Sequence, residues 1–174
     1  MSVLICQLCN YTITSQEHHN TCNTIMMCEV KEYIVSSEFK PMMTFGLGGC
    51  TVLLMVFLTK DTNSVCNIVF GHHYSKNTIL EWFTNYYKED YNIIIIIKTP
   101  GEYENKNGKW YMVAKEPEYW HSNIKKDNLK IIIEPYNLSQ TYHGNNVFNS
   151  TLYFKTQPKL QYSDCNGRYI DINY

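Results

Sequence analysis

The stretch Thr44-Phe45-Gly46-Leu47-Gly48-Gly49-Cys50-Thr51-Val52-Leu53-Leu54-Met55-Val56-Phe57-Leu58 decides how this chain reads. Three glycines make a turn of small residues, a cysteine closes it, and an unbroken apolar run follows. A run this short and continuous is a strand covered on both faces. It also falls well below the roughly 20 apolar residues of a membrane-spanning helix. A second run, 65–72, follows a polar turn and carries the chain to His72-His73. The two runs predict a hairpin. With its turn centred on Thr62, Val52 faces His72, and Cys50 shares a face with both. A slip of one residue would flip every side chain and put His73 there instead, so His73 stands as the alternate.

A thiol beside an imidazole has a chemical use. A free thiol is only slightly ionised at neutral pH, whereas a neighbouring imidazole can take its proton and later protonate a leaving amine. Glycines before the thiol allow close approach to the backbone. The amides of Gly49 and Cys50 are then candidates to face a developing oxyanion. The plainer reading is a buried cysteine and a satisfied strand-end histidine, both common in cores.

Thr44-x-x-Leu47-Gly48-Gly49-Cys50, followed by a strand, a turn, a second strand and a histidine, resembles the pattern of the CheD chemotaxis-receptor glutamine deamidases. The catalytic domains of the cytotoxic necrotizing factor toxins are similar. The match covers mainly 44–98, with a looser echo in Gly167-Arg168-Tyr169-Ile170, and a glycine replaces the family's serine before the cysteine. The resemblance implies a layered, β-rich fold and an amidohydrolase acting on protein glutamine. It makes Cys50 the nucleophile, His72 the base and Thr44 a third polar residue that orients the imidazole or the substrate. No cofactor is expected for the catalysis itself. The competing expectation is an inactive protein-interaction module, or a structural protein of a large DNA virus.

Residues 1–28 read differently from residues 29–174. The first segment is rich in Cys and His and poor in apolar periodicity; it carries Cys6-x-x-Cys9, His18-His19 and Cys22. Cys-x-x-Cys is the usual zinc knuckle, and three cysteines with one histidine make an accepted tetrahedral set. A structural zinc held by Cys6, Cys9, Cys22 and His18, with His19 as the alternate and Cys28 as a spare, is therefore expected. Such a site replaces a core that a short polar segment cannot build.

Lys plus Arg total 15 against 16 acidic residues, so no net field attracts nucleic acid or an anionic membrane, and neither is expected as a partner. A protein substrate or protein partner is expected instead, with the oligomeric state open. The seven cysteines are odd in number, and the Met1-to-Cys6 opening has neither a basic start nor a long apolar run. A reducing, intracellular setting is the expectation: cytoplasm, or for a viral protein the host cytoplasm or the virion. One alanine and one arginine among 174 residues point to AT-rich coding, as in large DNA viruses, protozoa or AT-rich bacteria. The fold class expected is α+β, mostly β, with two packed sheets, a flanking helix and the small Cys/His segment. The helix spans 75–88 with Ser75 as N-cap, and 92–98 is a central strand ended by Pro100-Gly101. Asn107-Gly108 marks a hairpin, and further strands fall at 110–114, 129–134, 151–156 and 168–172, with turns at Pro135 and at Asn166-Gly167. His121 and His143 connect to no site.

Overall fold

A computed structural model describes residues 4–138 and 151–174; His143 lies outside them. The elements in chain order are α1 (Gln16–Thr21), β1 (Asn23–Ile25), β2 (Glu29–Ile34), β3 (Met42–Thr44), β4 (Thr51–Thr59) and β5 (Val65–His73). Then come α2 (Lys76–Tyr86), β6 (Tyr91–Lys106), β7 (Lys109–Ala114), α3 (Pro117–Asn123) and β8 (Leu129–Asn137), and last β9 (Leu152–Lys155), β10 (Gln161–Ser163) and β11 (Tyr169–Asp171). The fold is mostly β, with two packed sheets and a few helices.

The larger sheet has the order β2-β5-β4-β6-β7, with β8 parallel to β6. Alternation along its strands sorts the core into two layers. Val52, Leu54, Val56, Phe70, Ile94 and Ile96 face the smaller sheet, β1-β3-β9-β10-β11, and pack on its Met42, Leu152 and Phe154. Leu53, Met55, Phe57, Ile93, Ile95 and Ile97 face the other way and are covered by Ile79 and Phe83 of α2 and Trp120 of α3. The five consecutive isoleucines are thus wholly buried, as their β-branched, unalternating run requires. Each contributes about 1.5–3 kcal/mol by leaving water.

The smaller sheet repeats the rule at shorter length. Met42 points into the inter-sheet core, while Met43 and Tyr153 point outward and pack against Cys6, Ile13 and Cys22. The N-terminal segment is therefore seated on the outer face of this sheet, and its β1 joins the sheet as a strand parallel to β3.

Helix α2 begins at Ser75, whose hydroxyl accepts from the Thr78 amide, and the Asn107-Gly108 turn carries φ of 55° and 81°, the left-handed pair a tight hairpin needs. Two expectations fail, both at prolines. Pro100-Gly101 does not end the strand; β6 runs on to Lys106. The Pro100 carbonyl accepts from Lys115, one residue past the end of β7, so the bond its missing N–H would have returned to Lys115 lies beyond the end of the β7 ladder. Gly101 is required there, since a Cβ would meet the Val113 carbonyl at 2.5 Å and the Pro135 side chain at 2.7 Å. Pro135 is likewise no turn: it lies within β8, opposite Thr99, on a strand whose ladder partner is β6 alone among the described strands. Helices α1 and α3 and the short strands β1, β2, β3 and β10 were not foreseen, because three to seven residues show too little periodicity.

Candidate functional site

Two clusters of cysteine and histidine lie on opposite sides of the smaller sheet. On its outer side, Cys6 and Cys9 sit in a tight turn where the Asn10 amide bonds to the Cys6 carbonyl at 2.8 Å and Asn10 takes φ 62°. Ser15 caps α1 by accepting from the His18 amide, and that start aims His18 inward and leaves His19 exposed. Cys22 ends the helix. The ligand atoms of Cys6, Cys9, His18 and Cys22 all lie within 4.8 Å of one another. Of the two histidines allowed by the sequence, the fold selects His18: its Nδ1 is 3.3 Å from the Cys9 sulfur, and its Nε2 is 2.6 Å from the Thr24 hydroxyl. An imidazole held at its far nitrogen by a polar partner is the usual outer support of a metal-ligating histidine.

The thiols themselves are electrostatically linked. The Cys6 thiol is lowered to about 5, chiefly by a hydrogen bond from Cys22, while Cys22 is pushed up by that same bond and then by burial. Burial likewise raises Cys9. Three cysteine sulfurs and an imidazole within reach of one another suit a cation with a tetrahedral preference for S and N. Cys28 is not part of this set; it is exposed, in a left-handed conformation.

On the inner side, the hairpin has the expected register. Val52 pairs with His72 and Thr51 with His73, and the pairing holds to Phe57–Asn67 before a one-residue irregularity at Leu58. His73 turns to the helical face, where its ring meets Trp82 edge-on at 5.3 Å and its Nδ1 accepts from the Ser75 amide. His72 turns to the smaller sheet and is buried.

Thr44, on β3, meets it there: its hydroxyl is 2.8 Å from His72 Nδ1 and donates to the Ile25 carbonyl at 2.8 Å. A hydroxyl has one proton, and a carbonyl can only accept. With its proton committed to Ile25, Thr44 must accept from His72, so Nδ1 carries the ring proton. Nε2 is then a bare lone pair, and it is buried without a hydrogen-bond partner among the described residues. Burial, and then the charge of His73, lower His72 to about 4, so the ring is neutral at pH 7. A neutral imidazole presenting an unengaged Nε2 is a base without a proton to take.

Cys50 directly precedes β4 and is 6% exposed. No hydrogen bond joins its thiol to His72, and burial, then the nearby Cys28, push its pKa up. The imidazole therefore does not hold this thiol ionised in the free protein, because a neutral ring offers no positive charge and the thiol lies out of water. The two candidate oxyanion amides are also engaged: Gly49 N–H donates to the Tyr136 hydroxyl at 2.9 Å, and Cys50 N–H donates to the Leu47 carbonyl.

Tyr136 was missed by the sequence reading. Its hydroxyl donates to the Cys50 carbonyl at 2.6 Å and so clamps the turn that bears the thiol. The signal was present in the period-two series Ile132, Glu134, Tyr136, obscured by reading Pro135 as a turn. Lys98 was missed too. It pairs with Val52 on one side and Glu134 on the other, is fully buried, and donates to the Thr151 carbonyl at 2.8 Å. Burial lowers it to about 8, against the opposing pull of Glu134. His72, Val52, Lys98 and Glu134 thus form one cross-strand row on the face toward the smaller sheet.

Comparison with protein-family models, curated proteins and solved structures finds no match. Among the described residues no helix is long and apolar enough to cross a membrane.

Proposed function

We propose that this chain is a cysteine amidohydrolase that deamidates protein glutamine side chains, with Cys50 as nucleophile, His72 as base and Thr44 orienting His72. The observation that carries the reading is the Thr44–His72 hydrogen bond, which leaves Nε2 as the acceptor. The resemblance to CheD rests on the same residues. Catalytic hydrogen bonds are often unmade in a free enzyme and tighten around substrate. On substrate binding His72 Nε2 takes the Cys50 proton, and the sulfur attacks the glutamine carbonyl carbon. The carbon–nitrogen bond breaks as His72 returns that proton to the departing ammonia. Water then cleaves the thioester, leaving glutamate and a free thiol. The Gly49 amide serves the oxyanion once Tyr136 releases it.

One observation favours a second reading, an inactive interaction module on the same scaffold or a viral structural protein: the Cys50 thiol is buried and hard to ionise. Incubating the protein with a glutamine-containing peptide library and measuring ammonia release separates the two. Release that vanishes in Cys50→Ser supports the enzyme; equal release by both proteins, or none from either, leaves the module.

The outer cluster, on our reading, holds one structural zinc through Cys6, Cys9, His18 and Cys22. Metal analysis of the purified chain should give one equivalent.

A further inference from the structure

The two clusters are joined. Cys22, the last ligand of the outer cluster, is followed at once by β1, whose third residue, Ile25, supplies the carbonyl that takes the Thr44 proton. The residue before Ile25, Thr24, bonds through its hydroxyl to His18 Nε2 at 2.6 Å. A continuous path therefore runs from His18 to Thr24, along the backbone to the Ile25 carbonyl, then to Thr44 and to His72 Nδ1.

β1 is only three residues long and lies at the edge of its sheet, paired in parallel with β3 alone among the described strands. So short a parallel pairing is marginal by itself. Two things besides seat it: Ile25, whose side chain is buried in the inter-sheet core, and the segment before it, packed on Met43 and Tyr153 and bonded through the Gln7 amide to the Tyr153 hydroxyl at 3.2 Å. That segment's own core is one small cluster, of which Cys6 and Cys22 are members.

We propose that metal occupancy of the Cys6, Cys9, His18 and Cys22 cluster sets the tautomer of His72, with Thr24 as the positioning residue that links them. With metal bound, β1 is seated, the Ile25 carbonyl holds the Thr44 hydroxyl, and Thr44 holds the proton on Nδ1. Without it, the β1 backbone shifts at Thr24 and draws the Ile25 carbonyl off the Thr44 hydroxyl, the Thr44 proton is freed to be donated to Nδ1, and the ring proton moves to Nε2. In that form the base is blocked. This rests on the zinc reading for its cause, and on the Cys50–His72 reading only for its effect on turnover.

The test is nitrogen NMR of the full chain labelled in histidine, loaded with zinc and then treated with a chelator. His72 should carry its proton on Nδ1 with zinc and lose that pattern without it, while His121 of α3 keeps its signals. With zinc present, Thr24→Val should bind the metal about tenfold more weakly. It should also show a mixed His72 tautomer, and Thr24→Ser should restore both. Should chelation unfold the whole chain, the zinc-loaded Thr24 variants still give the answer. An unchanged His72 pattern in Thr24→Val overturns the proposal, and so does a chain that takes up no metal. A His72 that responds in a protein releasing no ammonia leaves the coupling standing and removes the deamidase instead.

Discussion

The outer cluster gathers four candidate ligands from 17 consecutive residues, Cys6 to Cys22, whereas the inner site draws Thr44, Cys50 and His72 from two strands and a turn. The difference teaches where each gets its precision. In the outer cluster a turn and a helix of six residues bring sulfurs and an imidazole together, and a small apolar patch seats them. Convergence there is local, and a metal would supply most of the energy. At the inner site no local geometry suffices. The hairpin register, the packing of two sheets and the β1 carbonyl must all be right before His72 presents an unengaged nitrogen.

The contrast is broken most directly by removing the zinc proposed for the outer cluster. Structural zinc is worth on the order of 10 kcal/mol of folding free energy to a small site. Chelation, or Cys22→Ser, should therefore abolish protease resistance of residues 4–25 while the larger sheet keeps its amide protection. Limited proteolysis with hydrogen exchange reads both at once, and a segment equally resistant with and without metal would remove the zinc.

Next in size is chemistry at the inner site. Cys50→Ser should reduce ammonia release below detection, and His72→Ala should cost 10²–10⁴-fold, the usual worth of a positioned general base. Both variants should keep the wild-type circular dichroism spectrum. Exposed Cys28 should react with iodoacetamide before the buried Cys50 in the free protein. Mapping the labelled peptide checks this, and faster labelling of Cys50 would mean that the turn at 47–50 opens more readily than its Tyr136 clamp implies.

Acid should separate the two sites further. His72 has its pKa lowered from 6.5 to about 4, so between those values the unfolded chain binds the extra proton and the folded chain does not. Its contribution to stability is thus complete above pH 6.5 and is lost as pH falls toward 4, by about 3 kcal/mol. Urea unfolding across this range should show the loss, and His72→Gln should flatten it.

The smallest effect expected is at the joint between the clusters. Thr44→Val removes the acceptor for His72 Nδ1 and the donor to Ile25, and should cost about 1–3 kcal/mol. A melting temperature unchanged by this substitution would mean that neither bond is made in solution.

Much of this was legible before any coordinates. The knuckle spacing marked Cys6, Cys9 and Cys22, and the apolar runs at 51–58 and 92–98 announced strands covered on both faces. The His72 register followed from one assumption, a turn at Thr62, because a period of two leaves only two possible faces. The choice of His18 over His19 was not legible. It depends on where α1 starts, and a six-residue helix has no periodicity to read. Nor were the two strand prolines, since a proline is tolerated or forbidden according to which neighbour its nitrogen faces.

The sequence alone therefore determined the strand-rich layers, the outer Cys/His set to within one histidine, and the face on which His72 lies to within one slip of register. These depend on spacing and alternation, which are properties of the chain. Only the tertiary structure decided the protonation of His72, the burial of Cys50, the Tyr136 clamp and the path from His18 to Thr44. Each of those depends on which donor meets which acceptor across elements far apart in sequence, and on how much water the packing leaves between them.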